Sequence, residues 1–120
     1  MRVYVPVGRA ELRSLLAERE LPARGGYAVT ASLRGWFGVG DEEELEHAAT
    51  WRAATDECVL PVEVADAMVR DHGTAQDPGA VELVGPIKIT DVAAVLVVDD
   101  DDLVWYGVQE ADTLAEAGGS

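Results

Sequence analysis

Apolar positions along the chain recur first with a period of two, then with a helical period, and later in short alternating or continuous runs. Residues 2–7 place Val3, Val5 and Val7 on one face and Arg2 and Tyr4 on the other, which predicts a strand with one packed face, ending near Pro6. From Arg9 the period changes. Leu12, Leu15 and Leu16 fall at i, i+3 and i+4 with Arg9, Glu11, Arg13 and Glu18 outside, predicting an amphipathic helix that stops before Pro22. Residues 23–26 predict a turn and 27–29 a short strand. Thr30 is placed to cap a helix over 31–37 through its hydroxyl, and Gly35, Gly38 and Gly40 end it. Asp41 and Glu44 have the spacing of a capping box, and the lack of Gly and Pro from 42 to about 57 predicts a longer helix. Its apolar side is poorly defined, because Leu45, Ala48, Ala49 and Ala53 cluster while Trp51 lies well round from them.

The second half reads as strands. Residues 58–64 alternate, with Pro61 placing the strand near an edge or at a bulge. Residues 65–69 fit either continued strand or a helical turn, 71–79 read as a loop, 80–84 as a strand and 85–86 as a turn. Residues 92–98 are almost wholly apolar, which predicts a strand covered on both faces at the centre of a sheet. Residues 103–108, with Trp105 and Tyr106, predict a second strand antiparallel to it. The aspartates from Asp99 to Asp102 cannot be buried unpaired, since each bare carboxylate would cost several kcal/mol, so the chain surfaces there in a hairpin with an acidic tip. Residues 110–117 suit a short helix before a frayed tail at 118–120. Helices gathered toward the first half and strands toward the second predict a single α+β domain over 1–117, with a mixed or mainly antiparallel sheet and the helices on one face.

Composition narrows the function classes. At 120 residues the chain has the size of one domain with one core. No stretch approaches the roughly 18 apolar residues of a membrane helix, and the first residues pass straight into a strand pattern without a secretory signal, which predicts a cytoplasmic protein. Cys58 is the only cysteine, so no internal disulfide can form, in keeping with a reducing compartment. The net charge is −14. Residues 1–40 hold six arginines against three glutamates, while residues 41–120 hold three basic and twenty acidic residues. That balance argues against nucleic-acid and anionic-membrane partners, which need basic surfaces. A single lysine (Lys88), two isoleucines (Ile87 and Ile89) and no asparagine are the bias of a GC-rich genome.

Taken together, MRVYVP at the start, TASLRGW at 30–36, GDEEELEHAA at 40–49, VGPIKITDVAAVLVVD at 84–99 and LVWYGVQE at 103–110 resemble a family of small actinobacterial proteins with no assigned activity. The resemblance spans nearly the whole chain and implies a single cytoplasmic domain; it implies no catalytic residues. Members of that family carry a longer segment between the aspartate matching Asp99 and the Trp-Tyr pair, where this chain has a tight acidic turn.

The candidate chemistry is sparse. Glu44 and His47 stand at i and i+3, as in carboxylate-bridged di-iron sites, but such sites need two such pairs with further glutamates, and the other histidine, His72, lies in a loop. The Asp99 to Asp102 run lacks the alternate spacing of a calcium loop and reads better as a solvated turn that blocks edge pairing. Gly35 to Gly40 is followed by Asp41, Glu42, Glu43 and Glu44, which already satisfy the helix dipole and would repel a phosphate. Cys58 sits in an apolar strand, where burial raises a thiol pKa. No metal and no cofactor is expected. The favoured reading is a non-enzymatic interaction or regulatory domain with a protein partner; the alternative is a small-molecule-binding or enzymatic domain whose Tyr4, Arg34, Glu44 and His47 converge only in three dimensions. A homodimer through the less acidic residues 1–40 is also expected, with Arg34, Trp36 and Phe37 at its interface.

Overall fold

In the computed structural model, which describes residues 1–38 and 40–111, the chain runs β1 (Arg2–Val7), α1 (Arg9–Glu18), β2 (Glu20–Leu21), β3 (Gly25–Tyr27), α2 (Ala31–Phe37), α3 (Glu42–Arg52), β4 (Cys58–Glu63), β5 (Val69–Asp71), β6 (Ala80–Leu83), β7 (Ile87–Lys88), β8 (Val95–Asp99) and β9 (Asp102–Tyr106). Seven strands form one antiparallel sheet in the order β5-β6-β3-β1-β4-β8-β9, and β2 with β7 makes a separate two-stranded ribbon. The architecture is α+β, as the order of elements predicts. From residue 112 on, the expected short helix and the tail at 118–120 lie outside the described residues.

The alternation in β1 sets the layers. Val3, Val5 and Val7 point into a core shared with Leu12 and Leu15 of α1, Leu21 and Ile87 of the ribbon, and Cys58, Leu60 and Val62 of β4. Tyr4 points the other way, into a second cluster with Leu33 of α2, Leu45 and Ala49 of α3, and Val59. The helices therefore divide between the two faces, α1 on one and α2 with α3 on the other. This corrects the expectation of helices on a single face, and of a β1 packed on one side. Tyr4, which alternation places with Arg2 on the unpacked face, is 5 % exposed.

The apolar run at 92–98 also sits differently from its prediction. β8 is next to last in the sheet, with β9 at the edge, and the central strand is β1. Val95 is buried, but Leu96, Val97 and Val98 are half-buried, because the edge strand beside them gives less cover than an interior one would. The hairpin itself is as expected: Asp99 pairs with Asp102, and Asp100 at the tip takes a left-handed φ of 52°.

Pro61 lies inside the sheet, and a bulge explains how. The β4 pairings Val59 to Leu96 and Val62 to Val92 set three steps of β4 against four of its neighbour, and the extra residue falls beside the missing Pro61 N–H. The Pro61 carbonyl still accepts from the Ala93 N–H at 2.8 Å. The long helix stops at Arg52, five residues short of its predicted end. Residues 53–57 are needed elsewhere: the Glu57 carboxylate accepts the Arg9 N–H at 3.1 Å and pairs with its guanidinium at 2.6 Å, capping the first turn of α1. At α1 the Glu11 carboxylate also accepts the Gly8 N–H at 2.9 Å. Thr30 precedes α2 as predicted, yet its hydroxyl bonds Ser32 at 3.0 Å and no amide of the helix.

Candidate functional site

Helices α2 and α3, with the glycines between them, frame an open recess on the surface. Asp41 caps α3, its carboxylate accepting the Glu44 N–H at 2.9 Å, so α3 starts immediately after the turn and lies against the end of α2. The turn closes through the Gly38 N–H to the Arg34 carbonyl at 3.0 Å, with Gly38 at φ 85°. A side chain on Gly40 would come within 2.8 Å of Phe37 Cδ1, so the glycine is what lets the Phe37 ring fold over the turn. The result is an open groove of about 590 Å³ lined by Phe37, Asp41, Glu43, Glu44, His47 and Ala48. Its lining brings an aromatic ring and a methyl group together with three carboxylates and an imidazole.

Of the four polar residues singled out from sequence, Glu44 and His47 line this groove and the other two do not. Arg34 is turned along the helix to pair with Glu42, a bridge between α2 and the first turn of α3. Tyr4 lies beneath α3 on the sheet. Burial raises its phenol pKa, and the Glu46 carboxylate adds to the rise against weaker opposition from Thr50 and Arg2. His47 sits edge-on to Trp51 with ring centroids 6.3 Å apart. None of the groove residues is a serine, threonine or cysteine, and among the described residues no group of three or more His, Cys, Asp or Glu is placed to hold a metal ion.

The candidate interface residues share α2. Trp36 is 54 % exposed and Phe37 36 %, with centroids 6.5 Å apart. Trp36 is nevertheless held. The Arg52 guanidinium carbon lies 5.6 Å from the Trp36 ring and 5.3 Å from that of Tyr27, while Arg52 Nη2 donates to Asp77 Oδ1 at 2.8 Å. The Tyr27 hydroxyl donates to the same oxygen at 2.8 Å. Burial raises the Tyr27 pKa and the Asp77 carboxylate adds to the rise, so the phenol keeps the proton it donates. This cluster joins β3, α2, α3 and the loop before β6, and sequence reasoning missed it: Tyr27, Trp36, Arg52 and Asp77 are far apart along the chain, with no periodicity to link them.

The arginines of residues 1–40 are largely engaged within the chain: Arg2 with Glu63, Arg9 with Glu57, Arg24 with Glu11 and Arg34 with Glu42. Their charge is thus spent locally. His72 Nδ1 stands 3.6 Å from Glu82 Oε2 in a second recess of about 390 Å³, each side chain 54 % exposed. Cys58 is fully buried, which raises its thiol pKa.

No curated protein and no solved structure matches the chain. Residues 1–102, which carry everything from β1 to the acidic hairpin tip, match the model of a family of unknown function, DUF6912, and the chain belongs to that family.

Proposed function

We propose that this protein is a non-enzymatic interaction domain of the cytoplasm that receives a basic segment of a partner protein in the groove between α2 and α3. One observation carries the reading: Phe37, whose ring centroid lies 6.5 Å from that of the exposed Trp36, lines an open groove together with Ala48, three carboxylates and an imidazole. Aromatic anchors supply contact area at low entropic cost, and Asp41, Glu43 and Glu44 select for lysine or arginine on the partner. The net charge of −14 works in the same direction, steering basic partners in and nucleic acid away. A buried, unpaired Cys58 and the lack of any described helix long and apolar enough to cross a membrane support a cytoplasmic home. The GC-rich residue bias supports an actinobacterial source.

The test is an amide-resolved NMR titration with a synthetic amphipathic peptide bearing alternating leucine and arginine, against the same peptide with glutamate for arginine. Saturable shifts confined to residues 34–48, with Phe37→Ala weakening binding about tenfold, are expected. Equal shifts from the acidic peptide, or no saturation by about 1 mM, would remove the proposal.

A further inference from the structure

Among the described residues, β9 is an edge strand without the usual edge protection. Val104 and Trp105 are 37 % and 64 % exposed, and Asp102 at its start is its only charged residue. Natural edges are blunted by lysine, proline, bulges or a covering element; among the described residues no strand pairs with β9 on its outer side. The acidic tip protects one end of the strand, and among the described residues its middle stays unpaired on the outer side.

The direction of its free hydrogen-bonding groups follows from the ladder. The Val98 N–H donates to the Glu57 carbonyl at 3.0 Å, on the side of β4, so the pair Val98–Leu103 exchanges no bonds within the hairpin. Alternation then turns the backbone groups of Leu103 and Trp105 outward and those of Asp102, Val104 and Tyr106 inward, toward β8.

We propose that β9 pairs antiparallel with β9 of a second copy of this chain, about a two-fold axis through Val104, joining two seven-stranded sheets into one. In that register the outward-facing Leu103 and Trp105 of one copy exchange hydrogen bonds with Trp105 and Leu103 of the other. The same pairing sets leucine against tryptophan on the α3 face. Valine meets valine at the axis, and the only charge in the strand, Asp102, faces the Tyr106 ring. A two-fold axis at Leu103 would pair Trp105 with a turn residue, and one at Trp105 would pair Leu103 with Gly107, so Val104 is the centre that uses the whole strand. The two Asp102 residues end up four residues apart along the strand, about 14 Å, and the tips at Asp100 and Asp101 stand further off. That exceeds the Debye length of about 8 Å at physiological salt, so repulsion between the tips is screened there and felt at low salt. The pairing is independent of the α2–α3 groove, and it puts the expected homodimer on β9 in place of residues 1–40.

Cysteine cross-linking reads the register directly, because Val104 would face its own copy as a non-hydrogen-bonded pair with Cα atoms about 4.5 Å apart, within disulfide reach. Under mild copper–phenanthroline oxidation, Val104→Cys protein is expected to give a covalent dimer. Leu103→Cys and Trp105→Cys proteins should cross-link poorly alone but readily when mixed. Native Cys58 is buried and serves as the internal control. Sedimentation of the unmodified protein should show association strengthening as salt rises. Val104→Lys, checked as folded by its thermal melt, should shift the equilibrium toward monomer by about tenfold or more, while Val104→Thr should not. A monomer at every salt concentration up to about 100 µM protein overturns the proposal, as does a dimer that ignores Val104→Lys or cross-links equally well at all three positions.

Discussion

Single residues in this fold act through both of their protonation states and both of their faces. Burial disfavours the charged form of Glu11, but the Gly8 N–H and the Arg24 guanidinium more than offset it, and the Glu11 pKa is lowered. A carboxylate whose folded pKa is depressed contributes stability that is complete above its unfolded value, about 4.3, and is lost as pH falls through the folded one. Glu11→Gln keeps the reach-back to the Gly8 amide and removes the charge. Because the pair is partly exposed, the variant should lose less than about 1 kcal/mol at pH 7, and the difference from the native chain should close below about pH 4 in urea melts. A gap unchanged from pH 7 to pH 3 would mean that the charge is not its source. On β8 the same face-by-face reasoning separates neighbours. Val95 is buried on the α1 face, so Val95→Asp strands a carboxylate there at a cost comparable to the whole stability of a domain, about 5 kcal/mol. Asp101→Asn, at the solvated tip, should stay within about 0.5 kcal/mol of the native melt. Val97→Asp should fall between the two, since Val97 pairs with exposed Val104 and is half-buried.

At the scale of elements, Gly26 holds β3 where it is. A methyl group there would stand 2.7 Å from the Tyr4 carbonyl oxygen and 2.9 Å from Val3 Cγ1, so Gly26→Ala must push β3 away from β1. A loss of about 1–3 kcal/mol in chemical denaturation is expected; a variant within about 0.5 kcal/mol of native would show that the strands yield freely. The elements that sequence reveals are those with a period or clear boundaries: β1 at 2–7 and α1 from Arg9 appear where alternation and the i, i+3, i+4 spacing predict them, and α2 at 31–37 appears between Thr30 and the glycines that bound it. β2 and β7 have two residues each and no period to read, so the ribbon that closes the α1 face appears only in three dimensions. The placement of β8 fails for a different reason. An apolar run reports apolar neighbours on both faces, and β8 has them, Val95 and Val97 against the α1 core and Leu96 and Val98 against the other, while it lies one strand from the edge and is only half-buried from Leu96 to Val98. Of the site, Glu44 and His47 were legible because one helix carries both, whereas Tyr27, Arg52 and Asp77 meet only because three separate elements close on them.

For the whole molecule the question is whether its charges hold it together or press it apart. The cations that pair do so at the surface: Arg2–Glu63, Arg9–Glu57 and Arg52–Asp77 have both partners partly exposed, and solvent screens such pairs so that they hold the fold only weakly. With 23 acidic residues against 9 basic ones, most of the carboxylates have no cation to meet even if every cation is paired. They are confined in a folded chain of radius of gyration 13.9 Å, whereas unfolding spreads them over about 35 Å. Repulsion therefore favours the unfolded state, and it acts across distances of tens of ångströms where screening is strongest. Raising salt from 0.01 to 0.15 M shortens the Debye length from about 30 to about 8 Å, which removes most of that long-range repulsion and weakens contact pairs at 2.5–2.8 Å far less. The urea midpoint should rise over this range. The measurement belongs on Val104→Lys protein at low concentration, so that self-association contributes nothing to the change. A midpoint that falls with salt would show that the surface pairs outweigh the net charge, and that the fold relies on its arginines more than their exposure implies.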